Sequence, residues 1–315
     1  MQTKFSARAT LLSPQKKLRL KQWISNDSLE NPVATASSED VDTVDAYLDF
    51  VDLSLADQIH KKDSEALAFK EQVLLSRIRL PTTPPFKFDV DLSDAPDKSH
   101  GSARARTRIS QSRKLGTTLE LAHRFALHDL LDIAKGLPET SQLVFFDLSA
   151  RVGIDRPSLA LSDFTLLDVA VRNPIDAFQQ KPSWSLAIGA TRVLDERCID
   201  CVVGGINSNF GYTFKVFRSN RIWFYGLVGP AFELSSGFEA FAHLLVAPTA
   251  GIRFKINSAT IALLESRFKL GLLTKFEDLQ TTATLRSSLQ AWFAEVRFET
   301  SRYEDRAAAG FGLYY

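Results

Sequence analysis

At 315 residues, with a hydrophobic content of 45% and a net charge of +1, the chain suits one large or two modest domains and is too apolar to be disordered. It has no run of about 18 apolar residues, which excludes a transmembrane helix. A membrane barrel is not excluded, because its alternating strands escape a hydropathy scan.

The opening, MQTKFSARATLLSPQKKLRLKQWISN, lacks the uninterrupted apolar core and small-residue cleavage site of a secretory signal. The expectation is either an export-incompetent chain or the downstream part of a longer exported one, its gene model truncated ahead of Met1. Residues 1 to 22 carry Lys4, Arg8, Lys16, Lys17, Arg19 and Lys21 and no acid, whereas Asp and Glu dominate from Asp27 to Glu65. A basic arm of this kind can meet nucleic acid or anionic lipid. With no aromatic interleaving or recognition helix beside it, it reads instead as a strand or linker against the acidic segment, and no nucleic-acid partner is expected.

Residues 38 to 79 read as helix. Val41, Val44, Leu48, Val51, Leu55 and Ile59 recur at spacings of three and four along one stripe, and Ser37 followed by Asp40 resembles a capping box. A second piece from Ser64 carries Leu67, Leu74, Leu75 and Ile78 until Pro81, Pro84 and Pro85 end it. The expected division is a basic arm and helical connector over 1–99 and a β domain over 100–315.

Beyond about residue 100 the period changes to two. Arg104, Arg106 and Arg108 share one face of a strand, with Ala103, Ala105, Thr107 and Ile109 on the other. Facing lipid, each arginine would cost about 2–4 kcal/mol at the midplane, so they should face a lumen or polar rim. There they either form an anion-binding ladder for phosphate-bearing headgroups or pair with Glu120, Glu265, Glu295 or Glu299; pairing is the simpler reading. His100 with Ser102 invites a hydrolase, with His123, His128 and Asp129 as a base and its orienting carboxylate. No strand-turn-helix elbow surrounds Ser102, which favours structural roles for His100 and His128.

Cys198 and Cys201 are the two cysteines, in LDERCIDCVVGG. A redox pair would sit at a helix start, and zinc would need two further ligands that the scattered histidines do not supply. A small disulfide in an oxidising compartment is preferred, with a free thiol pair as the alternative. No cofactor or metal is expected, since phosphate-binding glycine loops and carboxylate metal motifs are missing from the sequence.

Alternation then repeats to the end. SWSLAIGATR sets Trp184, Leu186, Ile188 and Ala190 against Ser183, Ser185, Ala187 and Gly189. AGIRFKIN sets Ile252, Phe254 and Ile256 against Arg253 and Lys255; further on, Leu264, Phe268 and Leu270 oppose Glu265, Arg267 and Lys269. In LQAWFAEVRFET, Trp292, Ala294, Val296 and Phe298 oppose Glu295, Arg297 and Glu299. Candidate turns are INSA (256–259), RSNR (218–221) and TSRYED (300–305). In the terminal RAAAGFGLYY, Ala307, Ala309, Phe311, Leu313 and Tyr315 share an apolar face opposite Arg306, Ala308, Gly310, Gly312 and Tyr314, the pattern that closes outer-membrane barrels. If so, this strand must pair with one near 291–300 and with a first strand from 102–124.

The fold expected is mainly β: an antiparallel meander of about 10–12 strands closed as an outer-membrane-type β-barrel, preceded by a short α-helical segment. Periodicity alone does not say which face is inside. A soluble sandwich would bury the greasy face and a membrane barrel would turn it to lipid. Trp184, Trp223, Tyr225, Trp292 and Tyr315 near strand ends suit an interfacial girdle, and charged faces of mixed sign could pair across a lumen.

HGSARARTRIS (100–110), RFALHDLLD with a downstream GLP, and SW opening a later strand resemble the C-terminal half of bacterial Lnb-type proteins, over about residues 100–315. The resemblance implies an exported envelope protein with a helical connector and a strand-rich C-terminal region. In that family a papain-like N-terminal periplasmic domain is associated with lipoprotein N-acyl transfer through a cysteine and a histidine. No such domain stands upstream here, so no family nucleophile is carried over and this chain alone is not expected to be a complete enzyme. The resulting expectation is an outer-membrane anchor or platform domain, with outer-membrane lipid, lipoprotein or phospholipid substrates and the missing N-terminal domain as partners. The alternatives are a lipid-processing barrel enzyme using His100, Ser102 or His128, and a soluble periplasmic binding module.

Overall fold

The computed structural model describes residues 4–25, 31–87, 99–133, 135–176, 178, 180–216, 221–289 and 291–315. The chain forms two compact units, Met1–Asp91 and Leu92–Tyr315.

In the first unit the basic stretch is helical, as α1 (Lys4–Leu11) and α2 (Pro14–Ile24), where a strand or linker was expected. Ser13 and Pro14 start α2: the Ser13 hydroxyl accepts from the Lys16 amide, and proline fits the first helical position. The helices do lie against the acidic segment. That segment forms a 3-10 turn (Ser38–Asp40), α3 (Val41–Ser54), α4 (Ala56–His60) and α5 (Ser64–Ile78). Arg8 pairs with Asp45 and Asp49 at 3.0 and 2.7 Å, Lys16 with Asp42 at 3.0 Å and Arg19 with Asp40 at 2.6 Å. The capping box forms, with the Ser37 amide and hydroxyl both donating to Asp40 Oδ2. Val41, Val44 and Val51 are buried as the stripe requires. Helix α5 departs from its pattern: Leu67, Leu74, Leu75 and Ile78 are exposed, while the smaller Ala66, Val73 and Ser76 are buried. Small residues let α5 come close to its neighbours, and Asn31 bonds Ser76 Oγ there at 2.9 Å.

The second unit is one antiparallel sheet: β1 (Arg104–Ser112), β2 (Gly116–His128), β3 (Ser141–Gly153), β4 (Ser158–Val171), β6 (Ser183–Leu194), β7 (Ile199–Lys215), β8 (Ile222–Val228), β9 (Pro230–Leu234), β10 (Ala242–Val246), β11 (Thr249–Lys255), β12 (Thr260–Gly271), β13 (Glu277–Leu289), β14 (Trp292–Thr300) and β15 (Asp305–Tyr314), with β5 (Pro174–Ile175) beside β7 in parallel. Strands β8 and β9 are halves of one stave, as are β10 and β11, giving a closed barrel of 12 staves. The expected turns at 256–259 and 300–305 fall between β11 and β12 and between β14 and β15. Of the turn expected at 218–221, residues 218–220 lie outside the described residues.

The terminal strand closes the ring. β15 pairs with β14 from Trp292↔Leu313 to Thr300↔Asp305, and with β1 from Arg104↔Tyr314 to Ser112↔Arg306. Beyond these, Ala103 and Tyr315 exchange backbone hydrogen bonds of 3.1 and 3.0 Å. Because the number of staves is even, the first strand starts and the last strand ends at the same rim.

The two faces sort as a membrane barrel requires. Phe254, Leu264, Phe268, Trp292, Val296 and Phe298 are exposed on the outside, Phe298 by 56%. Arg253 and Glu295 are buried, and Lys255, Glu265, Arg267 and Arg297 lie on the same inner face, half-buried. Two residues of the expected girdle do not belong to it. Trp223 and Tyr225 are 2% and 1% exposed, because β8 turns them inward, where Arg253 stacks on the Trp223 ring at 4.6 Å and Tyr225 donates to Glu265 at 2.6 Å. Trp292 and Tyr315 are exposed.

Candidate functional site

Strand β1 projects Arg104, Arg106 and Arg108 inward, and each meets a carboxylate. Arg104 donates to Asp129 at 2.6 Å and to Asp147 at 3.2 Å. Arg106 reaches Glu120 at 3.4 Å, and Arg108 pairs with Glu120 and, at 3.2 Å, with Glu295. The pairing reading therefore describes Arg106 and Arg108, through Glu120 and Glu295, whereas Arg104 pairs with Asp129 and Asp147, acids not named as its partners. The other two acids named as partners are engaged elsewhere, Glu265 with Tyr225 and Glu299 with Arg297 and Arg306.

The centre of the cluster is the start of the β2–β3 connection, which folds into the barrel. Leu130, Leu131 and Asp132 are buried. Asp132 Oδ2 accepts from the Asp129 amide at 2.8 Å and Asp129 Oδ1 from the Leu131 amide at 2.9 Å, so the two acids shape the turn that carries them. The same two carboxylates face three guanidiniums, those of Arg104, Arg124 and Arg286. Arg124, 0% exposed, reaches Asp129 at 3.2 Å and Asp132 at 2.9 Å. Arg286 of β13 donates to Asp129 at 2.7 Å and Asp132 at 2.6 Å, and its other nitrogens hold Glu295 at 2.9 and 2.6 Å. Tyr314, next to last in the chain, donates to Asp132 at 2.5 Å.

The connection is also tied to the far wall. Arg253 Nε of β11 donates to the Leu130 carbonyl at 2.7 Å, and Lys255 pairs with Glu139 at 2.5 Å. Residues 129–132, with Glu139, thus link β1, β2 and β13 to β11, and the buried Leu130, Leu131 and Asp132 enter the lumen at the rim where β1 starts and β15 ends. Burial in this setting raises the Asp129 and Asp132 carboxyls, and the two acids repel each other. The attraction of Arg286, Arg104 and Arg124 outweighs both and leaves each acid below its ordinary range, Asp129 well below.

A second cluster lies at the opposite rim. Arg197, in the β6–β7 hairpin, lies between the rings of Phe238 and Phe276 at 4.3 and 3.8 Å and pairs with Asp195 and Glu233, both at 2.7 Å. Lys269 completes it on Glu233 at 2.7 Å. Cys198 and Cys201 are disulfide-bonded and pack with Val193, Val203 and Phe238.

The proposed catalytic residues do not converge. Ser102 is exposed, and among the described residues no hydrogen bond joins it to His100 or His128. His100 stacks on Tyr314 at 4.2 Å with Nε2 at 3.7 Å from Asp132, and His128 Nε2 lies 3.4 Å from Ser141 Oγ. His123 points outward to the Tyr315 hydroxyl, away from Asp129 in the lumen. Among the described residues no group of three or more His, Cys, Asp or Glu could hold a metal ion.

The residues missed from the sequence are Arg124, Asp132 and Arg286, while Arg253 and Tyr314 were read only as members of the faces opposite the apolar ones. The signal lay in RFALHDLLD: an arginine-bearing strand running into two acids three apart around a Leu-Leu pair, unlike the hairpin turns elsewhere.

The profile of one family, a domain of unknown function designated DUF7840, matches residues 93–310, the span of the barrel. The chain belongs to that family. No curated protein matches the DUF7840 chain. Solved structures similar to it include the KdgM porin in complex with disordered oligogalacturonate, at 9% identity over 67% of this chain and 99% of that one, with a TM-score of 0.41. An outer membrane channel from Pseudomonas putida F1 aligns at 8% identity over 73% and 100% of the two chains, TM-score 0.41. The outer membrane protein Omp33 of Acinetobacter baumannii aligns at 7% over 69% and 99%, TM-score 0.36.

Proposed function

We propose that the barrel is an outer-membrane anchor with a sealed lumen, serving as the platform of an envelope protein rather than as a diffusion pore. The observation that carries the membrane reading is the inverted sorting of the wall, apolar outside and charged inside. A soluble sandwich would need the reverse, and a continuous apolar exterior of this extent in water marks a membrane or partner surface. Strand length supports it, since about 9–11 residues span a bilayer and the unbroken staves run from 9 to 17 residues. The seal rests on the inward connection at one rim and on the Arg197–Glu233–Lys269 cluster at the other.

The Lnb-type resemblance belongs to the same proposal. It would make the platform part of a lipoprotein-processing assembly, with a catalytic periplasmic domain as partner and lipoprotein or phospholipid as substrate. Its support is the set of motifs between His100 and Trp184. The barrel-enzyme alternative has no converging nucleophile and base to favour it.

Two measurements test the reading. The full chain should fractionate with outer membranes and migrate faster on detergent gels before boiling than after; a monodisperse protein in detergent-free buffer would overturn the membrane claim. In planar bilayers the folded protein should give no steady conductance, and a stable open pore would overturn the seal.

A further inference from the structure

Pro230 and Pro248 stand in neighbouring staves of the wall, where β8 passes into β9 and β10 into β11. Proline has no N–H to give a ladder. The Phe268 amide donates to the Pro248 carbonyl at 2.9 Å, but the return bond to the Phe268 carbonyl does not exist. Over this break the outer surface carries a groove of about 800 Å3, rimmed by Phe210, Tyr212, Val228, Phe268 and Leu279. Its floor includes Gly226 and, paired with it across the strands, Ala250. A Cβ at Gly226 would meet no heavy atom within 4 Å, so the floor is sunk below the surrounding layer of side chains.

We propose that this groove seats one acyl chain of a membrane phospholipid. The inference rests on the membrane reading above, which sets this wall in hydrocarbon. Its volume falls within the range of about 300–1,000 Å3 usual for ligand pockets. No charged side chain lines it, its polar groups being the hydroxyls of Tyr212, Thr249 and Ser266, so an ionic headgroup finds no counter-charge there. Continuity with the lipid-facing wall lets a flexible chain slide in sideways, whereas a neighbouring barrel, itself convex, meets the rim before it reaches the floor. The aromatic rims offer flat walls to the methylenes.

The test uses the full chain in vesicles of phosphatidylethanolamine carrying a photoreactive diazirine in one acyl chain, with labelled peptides mapped by mass spectrometry. Label should concentrate several-fold on Phe210, Tyr212, Val228 and Phe268 over other outward positions. Gly226→Leu, whose Cβ enters open space, should bring that enrichment down to the level of the remaining wall. Ala250→Leu is a second filling variant should the first not assemble, and Ala309→Leu, on the outer face of β15, should leave the enrichment unchanged. Even labelling around the wall, enrichment unaffected by either filling variant, or crosslinks between two copies at this face would overturn the seat while leaving the membrane reading intact. No label anywhere on the outer face would instead remove the membrane reading itself.

Discussion

Arg286 faces three carboxylates at once, Asp129, Asp132 and Glu295, and is buried together with Asp132 and Glu295, while Asp129 is half-buried. Removing one member of a buried ionic set strands the others, at a cost of about 3–5 kcal/mol. Arg286→Ala should lower the unfolding free energy of the detergent-folded barrel by that amount, read from the urea midpoint at unchanged slope. The pH response follows from the acids. Asp129 and Asp132 are held below their ordinary range, so their stabilising contribution is fully present above the unfolded value of about 3.9. It is lost only as pH falls through the depressed folded values. The barrel should therefore keep its heat-modifiable migration and its seal from neutrality down to about pH 4, and loosen only in stronger acid; opening near pH 6 would contradict this. The arginines of β1 were legible because a period of two puts them on one face. The acids that hold them were legible only as residues, since their role depends on a connection folding inward, which no periodicity encodes.

Strand β15 was readable to its last residue. Its outward Phe311, Leu313 and Tyr315 are exposed and its inward Ala308, Gly312 and Tyr314 are buried. The glycine at 312 has a steric reason, because a Cβ there would lie 2.4 Å from the Phe293 ring. Gly312→Val should destabilise by about 1–3 kcal/mol through overpacking, lowering the temperature at which the fast-migrating gel band is lost, while the outward Ala309→Val should change it little. Deleting Phe311 to Tyr315 removes the partners of Arg104 to Thr107 and should abolish membrane assembly; a shortened chain that still reaches the outer membrane would refute the closing role. The hairpin pair Cys198–Cys201 should appear oxidised in exported material, its mass one hydrogen pair below the dithiol. Helices α1 and α2 were not legible as helices, because their charge pattern drew attention from the Ser13–Pro14 start signal.

For the molecule as a whole, alternation revealed a closed meander and a count close to the 12 staves observed. It did not reveal which face is inside, because a strand has the same period whether its apolar side meets a dry core or lipid. The aromatic positions misled where β8 carries Trp223 and Tyr225 inward: large rings near a strand end look alike from the sequence whether they face an interface or back an arginine. The expected boundary at 99/100 rested on the prolines and on the change of period, whereas compactness divides the chain between Asp91 and Leu92.

The seam between β1 and β15 also sets an order of events. Thr107 pairs with Phe311, so the contact that finishes the ring joins nearly the first residues of the barrel to its last. Loop-closure entropy makes such a contact late. Until that seam forms, β1 and β15 are bare sheet edges, each able to pair with another chain in the same condition.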